Sequence, residues 1–178
     1  MRLWRSLLLA SALVACKSDG AAPIHLVVGP APSDQVTLVP KAALAEYIEV
    51  GPDQTLLLLT FSSDERGCDA APPPSKDAVG VSLRLSLPQG KKLETGTFPL
   101  VNEGPEGTQP NASITVKLRG RRHELRSGGE LELRELDLGP RGSVSGLLKL
   151  EAPGDAEHPA TRVAGQFWAH FCRINRLR

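Results

Sequence analysis

Val79-Gly80-Val81-Ser82-Leu83-Arg84-Leu85-Ser86-Leu87 alternates without a break. Val79, Val81, Leu83, Leu85 and Leu87 fall on one side. Ser82, Arg84 and Ser86 fall on the other, which is the two-residue period of a strand half buried in a sheet. Residues 112–119 repeat it, with Ile114, Val116 and Leu118 opposed to Thr115, Lys117 and Arg119. Residues 162–172 repeat it again. There Val163, Gly165, Phe167, Ala169 and Phe171 share one face, and Ala164, Gln166, Trp168, His170 and Cys172 share the other. In residues 143–150, Val144, Gly146, Leu148 and Leu150 form a single row.

Weaker strand signals lie between these. Residues 35–39 alternate loosely, and residues 96–101 are short. Residues 42–50 open with residues that suit a helical turn, but Pro40 and Gly51-Pro52 bracket them at strand length. Residues 54–62 hold the run Leu56-Leu57-Leu58-Leu59, as in a central strand covered on both faces. In residues 130–138, Leu131 and Leu133 have one parity and Leu136 and Leu138 the other. One extra residue near Arg134-Glu135 would bring all four to one face, so a β-bulge is expected there. Gly120-Arg121-Arg122 reads as a turn, as do Gly51-Pro52-Asp53, Pro88-Gln89-Gly90, Gly128-Gly129, Gly139-Pro140-Arg141-Gly142 and Pro153-Gly154-Asp155. Short strands ended by Gly or Pro indicate an all-β fold: a single antiparallel β-sandwich or flattened barrel of about seven to nine strands.

Composition bounds the rest. The chain has 178 residues, 21 basic and 20 acidic, with 40% hydrophobic residues. That is one domain with a sizeable core, neither disordered nor polytopic in a membrane. A net charge of +1 argues against a nucleic-acid partner bound through a broad basic face. Aromatics at 4% are few for a surface that stacks bases or sugars on rings.

The first residues read as a targeting segment. Arg2 and Arg5 precede the apolar run Leu7-Leu8-Leu9-Ala10 and Ala12-Leu13-Val14, too short to span a bilayer as a folded helix. The run ends Leu13-Val14-Ala15-Cys16. This resembles the bacterial lipobox, with Leu13 at −3, Ala15 at −1 and Cys16 as the acylated residue. The resemblance implies a palmitate-type lipid on Cys16 and a protein lipid-anchored in the bacterial cell envelope, with Lys17 favouring the outer membrane. Two or three acyl chains, at about 0.8 kcal/mol per buried methylene, make release negligible. The expected organisation is a signal peptide over 1–15, a flexible tether over 16–34 rich in Gly, Pro and Ala, and a β domain over 35–178. The apolar patch at residues 24–28 would be part of that tether or an edge strand.

With Cys16 assigned to lipid, Cys68 and Cys172 remain. An even remainder in an exported protein favours a disulfide, on the side of the last strand away from its Phe row. A metal set of Cys68, His170 and Cys172 is the competing use of those thiols, and Asp64, Glu65 and Asp69 form an acidic loop that could hold calcium.

Catalytic motifs do not assemble. His123-Glu124 begins like a zinc-protease helix, but Ser127 stands where the second histidine belongs. Gly142-Ser143-Val144-Ser145-Gly146 has the glycines of a nucleophile elbow with Val144 at the serine position. There is no phosphate loop or dinucleotide fingerprint, so no cofactor is expected and the reading is non-enzymatic. Lys117, Arg119, Arg121, Arg122 and Arg126 form one basic cluster, and Arg173, Arg176 and Arg178 another. Either suits anionic headgroups or an acidic polymer, with Glu130, Glu132 and Glu135 available to neutralise the first cluster across a hairpin.

Ser62-Ser63 before Gly67-Cys68, Gly96-Thr97-Phe98-Pro99-Leu100, Gly128-Gly129-Glu130-Leu131, Val144-Ser145-Gly146-Leu147-Leu148 and Val163-Ala164-Gly165-Gln166-Phe167, closing on Phe171-Cys172-Arg173, are spread over most of the chain. Together they resemble a group of small, uncharacterised β-rich lipoproteins of myxobacteria and related bacteria. That resemblance implies a β-sandwich and no transferable activity. The function expected is a membrane-anchored module that binds an envelope protein or polymer. The alternative is a calycin-like barrel holding a lipid or small apolar ligand. Cys16→Ser should abolish palmitate labelling and leave an uncleaved or soluble species. Continued labelling and membrane fractionation of that variant would refute the lipobox.

Overall fold

Residues 161–177 decide how the chain is arranged. In the computed structural model, which describes residues 24–28, 35–50, 54–65, 67–68, 75, 77–100, 110–118, 121–125, 128–152 and 160–177, this last strand is also the longest. The strands are β1 (Ile24–Val28), β2 (Gln35–Leu38), β3 (Ala42–Val50), β4 (Gln54–Ser62), β5 (Gly80–Ser86), β6 (Gly96–Leu100), β7 (Asn111–Leu118), β8 (Arg121–Leu125), β9 (Gly128–Leu136), β10 (Ser143–Ala152) and β11 (Thr161–Leu177). Among the described residues there is no helix. All eleven strands belong to one curled, half-barrel sheet of order β6-β9-β10-β11-β3-β4-β5-β7-β8, with β1 and β2 attached beside β11.

The all-β reading holds, and three of its details change. First, the described residues form eleven strands rather than about seven to nine, and Gly128-Gly129, expected as a turn, open β9 as paired residues. One addition is β8, where a turn at Gly120-Arg121-Arg122 was expected. Arg121 and Arg122 instead pair with Leu118 and Lys117. Arg-Arg-His-Glu-Leu shows no apolar alternation because β8 ends the order of strands and pairs along one edge only. Charged side chains on such an edge also discourage pairing with another chain.

The second change is β1. Residues 24–28, expected as part of the tether or as an edge strand, form a strand paired on both sides, between β11 and β2, with Ile24 and Leu26 fully buried. The folded part therefore begins by Ile24, not at residue 35. Residues 1–15, where a signal peptide is expected, and Cys16 lie outside the described residues.

The third is that the sheet is not purely antiparallel, since β11 and β3 run parallel from His170↔Leu44 to Leu177↔Val50. The direction is forced by what precedes it. β1 is antiparallel to β11 and β2 is antiparallel to β1, so β2 runs with β11. Val39-Pro40-Lys41 carries the chain on to β3 without reversing it. β1 covers the edge of β11 up to Ala164, and β3 takes the same edge over from His170.

The inward face is packed by the alternating residues that the sequence singles out. Leu83, Leu85, Ile114, Val116, Leu131, Leu133, Leu148, Phe167 and Phe171 are all buried, as are Leu57, Leu59 and Phe61 of the central strand β4. The bulge falls at Arg134. Along β10, Ser145 pairs with Glu135 but Gly146 pairs with Leu133, so Arg134 is skipped. Leu136 and Leu138 thereby join Leu131 and Leu133 against the core. The skipped Arg134 turns back along its own strand and binds Glu132 with two hydrogen bonds, Nε to Oε1 at 3.0 Å and Nη2 to Oε2 at 3.1 Å. That hydrogen bonding, and the nearby Arg134 and Lys149 charges, hold the Glu132 carboxyl below its usual range. The small stabilisation this gives is present above the ordinary glutamate pKa and disappears as pH falls through the lowered one.

Gly146 is required where the bulge meets the core. A Cβ there would collide with the Glu132 carbonyl and reach within 3.0 Å of the Phe167 ring, its cross-strand partner. Phe167 in turn meets Phe61 edge-to-face, with centroids 5.5 Å apart. This contact joins β11 to β4 through the interior. Leu148→Ala, beside this contact in the same row, should cost about 2–5 kcal/mol in denaturant unfolding. A loss below about 0.5 kcal/mol would place the side chain on the surface and break the register.

Candidate functional site

On the outward face of β4, β5, β7 and β8, small polar side chains and two cations gather at one level of the sheet. Cross-strand register aligns Thr60, Ser82 and Thr115 in one row, and Ser62, Gly80, Lys117 and Arg122 in the next. All of these have the parity opposite to the buried Phe61, Val81 and Val116, so they take the outward side of the sheet, although Ser62 is itself buried and its Oγ accepts from Asp64 N at 3.1 Å. Gly80 has no side chain, which leaves a gap in the second row between Ser62 and Lys117. The result is a groove of about 390 Å³, lined also by Ala78 and Val79. Hydroxyls that donate or accept, flanked by an ammonium and a guanidinium, suit a polar or anionic ligand such as a carboxylate, phosphate or sugar.

One rim of the groove is the chain between β4 and β5, fastened at several points. Ser63 and Val79 bridge it twice, Ser63 N to Val79 O at 2.9 Å and Val79 N to Ser63 Oγ at 3.0 Å. Asp64 accepts from Ser75 with both carboxylate oxygens, from N at 2.8 Å and from Oγ at 3.1 Å. Lys117 Nζ donates to the Ser75 carbonyl at 2.8 Å, so the ammonium is held at the rim. Asp64 therefore closes a loop, whereas the sequence suggested a calcium ligand. Glu65 is exposed and Asp69 lies outside the described residues. Among the described residues, no three His, Cys, Asp or Glu side chains gather as a metal site.

The same loop carries Cys68. Its sulfur is at disulfide-bonding distance from that of Cys172, with the Cα atoms 5.0 Å apart and 104 positions between them in sequence. The pairing takes both thiols away from the metal set with His170. Cys172 is the residue that the β11–β3 register skips, between Phe171 and Arg173. It is half-buried and lies outside the apolar core that Phe171 joins. β4 and β11 flank β3, and the bridge fastens the loop that follows β4 to the last strand.

Of the first basic cluster, the structure brings Lys117 and Arg122 together. Arg119 and Arg126 lie outside the described residues. Neutralisation across a hairpin by Glu130, Glu132 and Glu135 does not occur as expected. β9 pairs with β6 and β10, on the opposite arm of the sheet from β7 and β8. From the second cluster, Arg173 pairs with Glu46 at 3.5 Å, and Arg178 lies outside the described residues. A second groove, of about 640 Å³, runs over β9, β10 and β11 past Glu130, Lys149, Glu151 and Arg162. Its charges alternate in sign, and Arg162 meets Glu151 at 2.8 Å, which gives it no net preference for an ion. Thr60, Ser62, Ser82 and Thr115 were not singled out in the sequence. A hydroxyl on the polar side of an alternating strand looks the same whether it lines a groove or meets bulk water.

No family model matches the chain, and neither the curated proteins nor the solved structures contain a match. The groove and its loop are thus read from their own chemistry. Reducing the Cys68–Cys172 bridge, or replacing both residues by Ser, should cost about 4–5 kcal/mol of stability, the chain-entropy value for a loop of about 100 residues. Denaturant unfolding with and without reductant measures it. Titration of two free thiols in the unreduced, unfolded protein would show that the bridge is absent.

Proposed function

We propose that the protein is a non-enzymatic lipoprotein of the bacterial envelope, held to a membrane by acyl chains on Cys16, that binds an acidic polymer or protein partner through the outward groove of β4, β5, β7 and β8. The observation that carries this reading is the convergence of Lys117 and Arg122 with the half-buried hydroxyls of Thr60, Ser82 and Thr115 around the gap at Gly80. Lys117 is oriented by Ser75, so part of the ordering of that long side chain is already done before a ligand arrives.

The interior supports an outer site over the calycin-like alternative. A ligand cavity would leave accessible area on the side chains that line it. Leu57, Leu59, Phe61, Leu83, Leu85, Ile114, Leu131 and Leu148 have none on the inward face. A barrel packed this closely around its own side chains has no room for a lipid among them.

Arg122→Glu should elute from an immobilised acidic polysaccharide at clearly lower salt than the wild type. Lys92→Glu makes the same charge change on an exposed loop and should elute near the wild-type position. Equal elution of Arg122→Glu and wild type would overturn the assignment of the groove.

A further inference from the structure

Among the described residues, two large hydrophobic side chains are exposed: Trp168, with 46% of its surface accessible, and Val39, with 60%. They are far apart in sequence, yet the sheet places both where the chain enters the fold. β1 pairs with β11 from Val28↔Thr161 to His25↔Ala164, so Ile24 stands one step further on, three positions from Trp168. Ile24 pairs on its other side with Leu38, the residue before Val39. Both exposed residues have the parity opposite to buried neighbours, Trp168 between Phe167 and Ala169 on β11 and Val39, just past the end of β2, between Leu38 and Pro40. β1 therefore enters the sheet from the Trp168 end of β11, with Val39 beside it.

Chain length turns this placement into an orientation. Ile24 is eight residues beyond Cys16, and eight residues span at most about 3.3–3.6 Å each, under ~30 Å in all. A folded domain of about 150 residues is roughly 40 Å across. If the acyl chains are on Cys16, the connecting residues are too short to let the membrane lie against the far end of the domain. The part of the sheet around Ile24 must stay near the bilayer, and its outward side carries the exposed tryptophan. An indole prefers the headgroup level of a bilayer, where its ring is shielded from water and its N–H still finds acceptors. Around it stand polar side chains: Gln166 is exposed, His170 is half-buried, and Ser145 is its cross-strand partner. That is the pattern of an apolar contact with a wet rim.

We propose that the outward surface around Trp168 and Val39 rests on the lipid bilayer in which Cys16 is anchored, with the Trp168 ring in the headgroup region. This rests on the lipid-anchor reading above and adds to it which way the domain faces.

The chain suits a fluorescence test, because its two tryptophans are Trp4, in the expected signal peptide, and Trp168. The acylated protein is reconstituted into phosphatidylethanolamine–phosphatidylglycerol vesicles, with or without brominated acyl chains. In parallel, residues 17–178 with an N-terminal hexahistidine tag are held on vesicles containing a nickel-chelating lipid, which supplies an anchor that needs no acylation. The expected result is a blue shift of Trp168 emission on binding, and its loss in brominated vesicles, in both formats. A probe at the far end of the sheet is made as Lys92→Trp in a Trp168→Phe background. Lys92 follows Ser86, which is level through Leu56 and Ile48 with Asn175 of β11, seven positions beyond Trp168. That probe should not be quenched. Bound protein in which Trp168 is unquenched, or in which both probes are quenched alike, would overturn the proposal. Absence of acyl labelling with Trp168 still quenched on the chelating vesicles would refute the anchor on Cys16 and leave the membrane-facing surface supported.

Discussion

The backbone of β11 is the constraint on which the rest of the structure depends. A strand buried in a sheet must find partners for its N–H and C=O groups on both edges. β11 meets that requirement with three neighbours. β10 runs along one edge from Ala152↔Thr161 to Ser143↔His170, while β1 and then β3 share the other. The division of that edge sets the path of the N-terminal half. β1 must stop for β3 to begin, β2 must run with β11, and the parallel pair follows as a consequence of that path. The Cys68–Cys172 bridge ties the loop after β4 to β11 at the start of its pairing with β3, the one parallel pairing among the described residues.

A curled sheet needs local departures from regularity, and here they are assigned to particular residues. Arg134 is the extra residue that lets β9 keep leucines on one face across a change of parity. Gly146 accommodates the carbonyl displaced by that bulge and the Phe167 ring beneath it. Phe167 then reaches Phe61, so a bulge near one arm of the sheet is coupled through a glycine and two rings to the central strand. Gly129 has φ of 143°, a conformation glycine adopts at little cost, and brings β9 hard against the backbone of Lys149. The interior is filled as a result, and the surface is what remains for recognition.

That surface is organised in two regions. Near Ile24, Trp168 and Val39 are the exposed large hydrophobic side chains among the described residues. On β4, β5, β7 and β8, hydroxyls and two cations make a polar groove, braced by a loop that Asp64, Ser63 and the Cys68–Cys172 bridge hold in place. A polar groove on a rigid sheet can be presented to a partner without a conformational change.

Much of this was legible in the chain. Period-two alternation in residues 79–87, 112–119 and 162–172 determined which side chains are buried, because a pleated strand sends successive side chains to opposite faces whatever its neighbours are. The switch of leucine parity at Arg134 determined the bulge by the same rule, and the pair of cysteines left after Cys16 pointed to the bridge. Strand order was not legible, because alternation says which face is apolar and nothing about which edge pairs with which. β8 carries no apolar alternation, and β1 is a five-residue patch among Gly and Pro, so each is a strand only because an edge was free to pair with it. The groove has the same origin. Thr60, Ser62, Ser82, Thr115, Lys117 and Arg122 come from four strands, and only cross-strand register brings them to one level. Local sequence thus determined the faces, while the edges, and the site built across them, were decided by long-range backbone pairing.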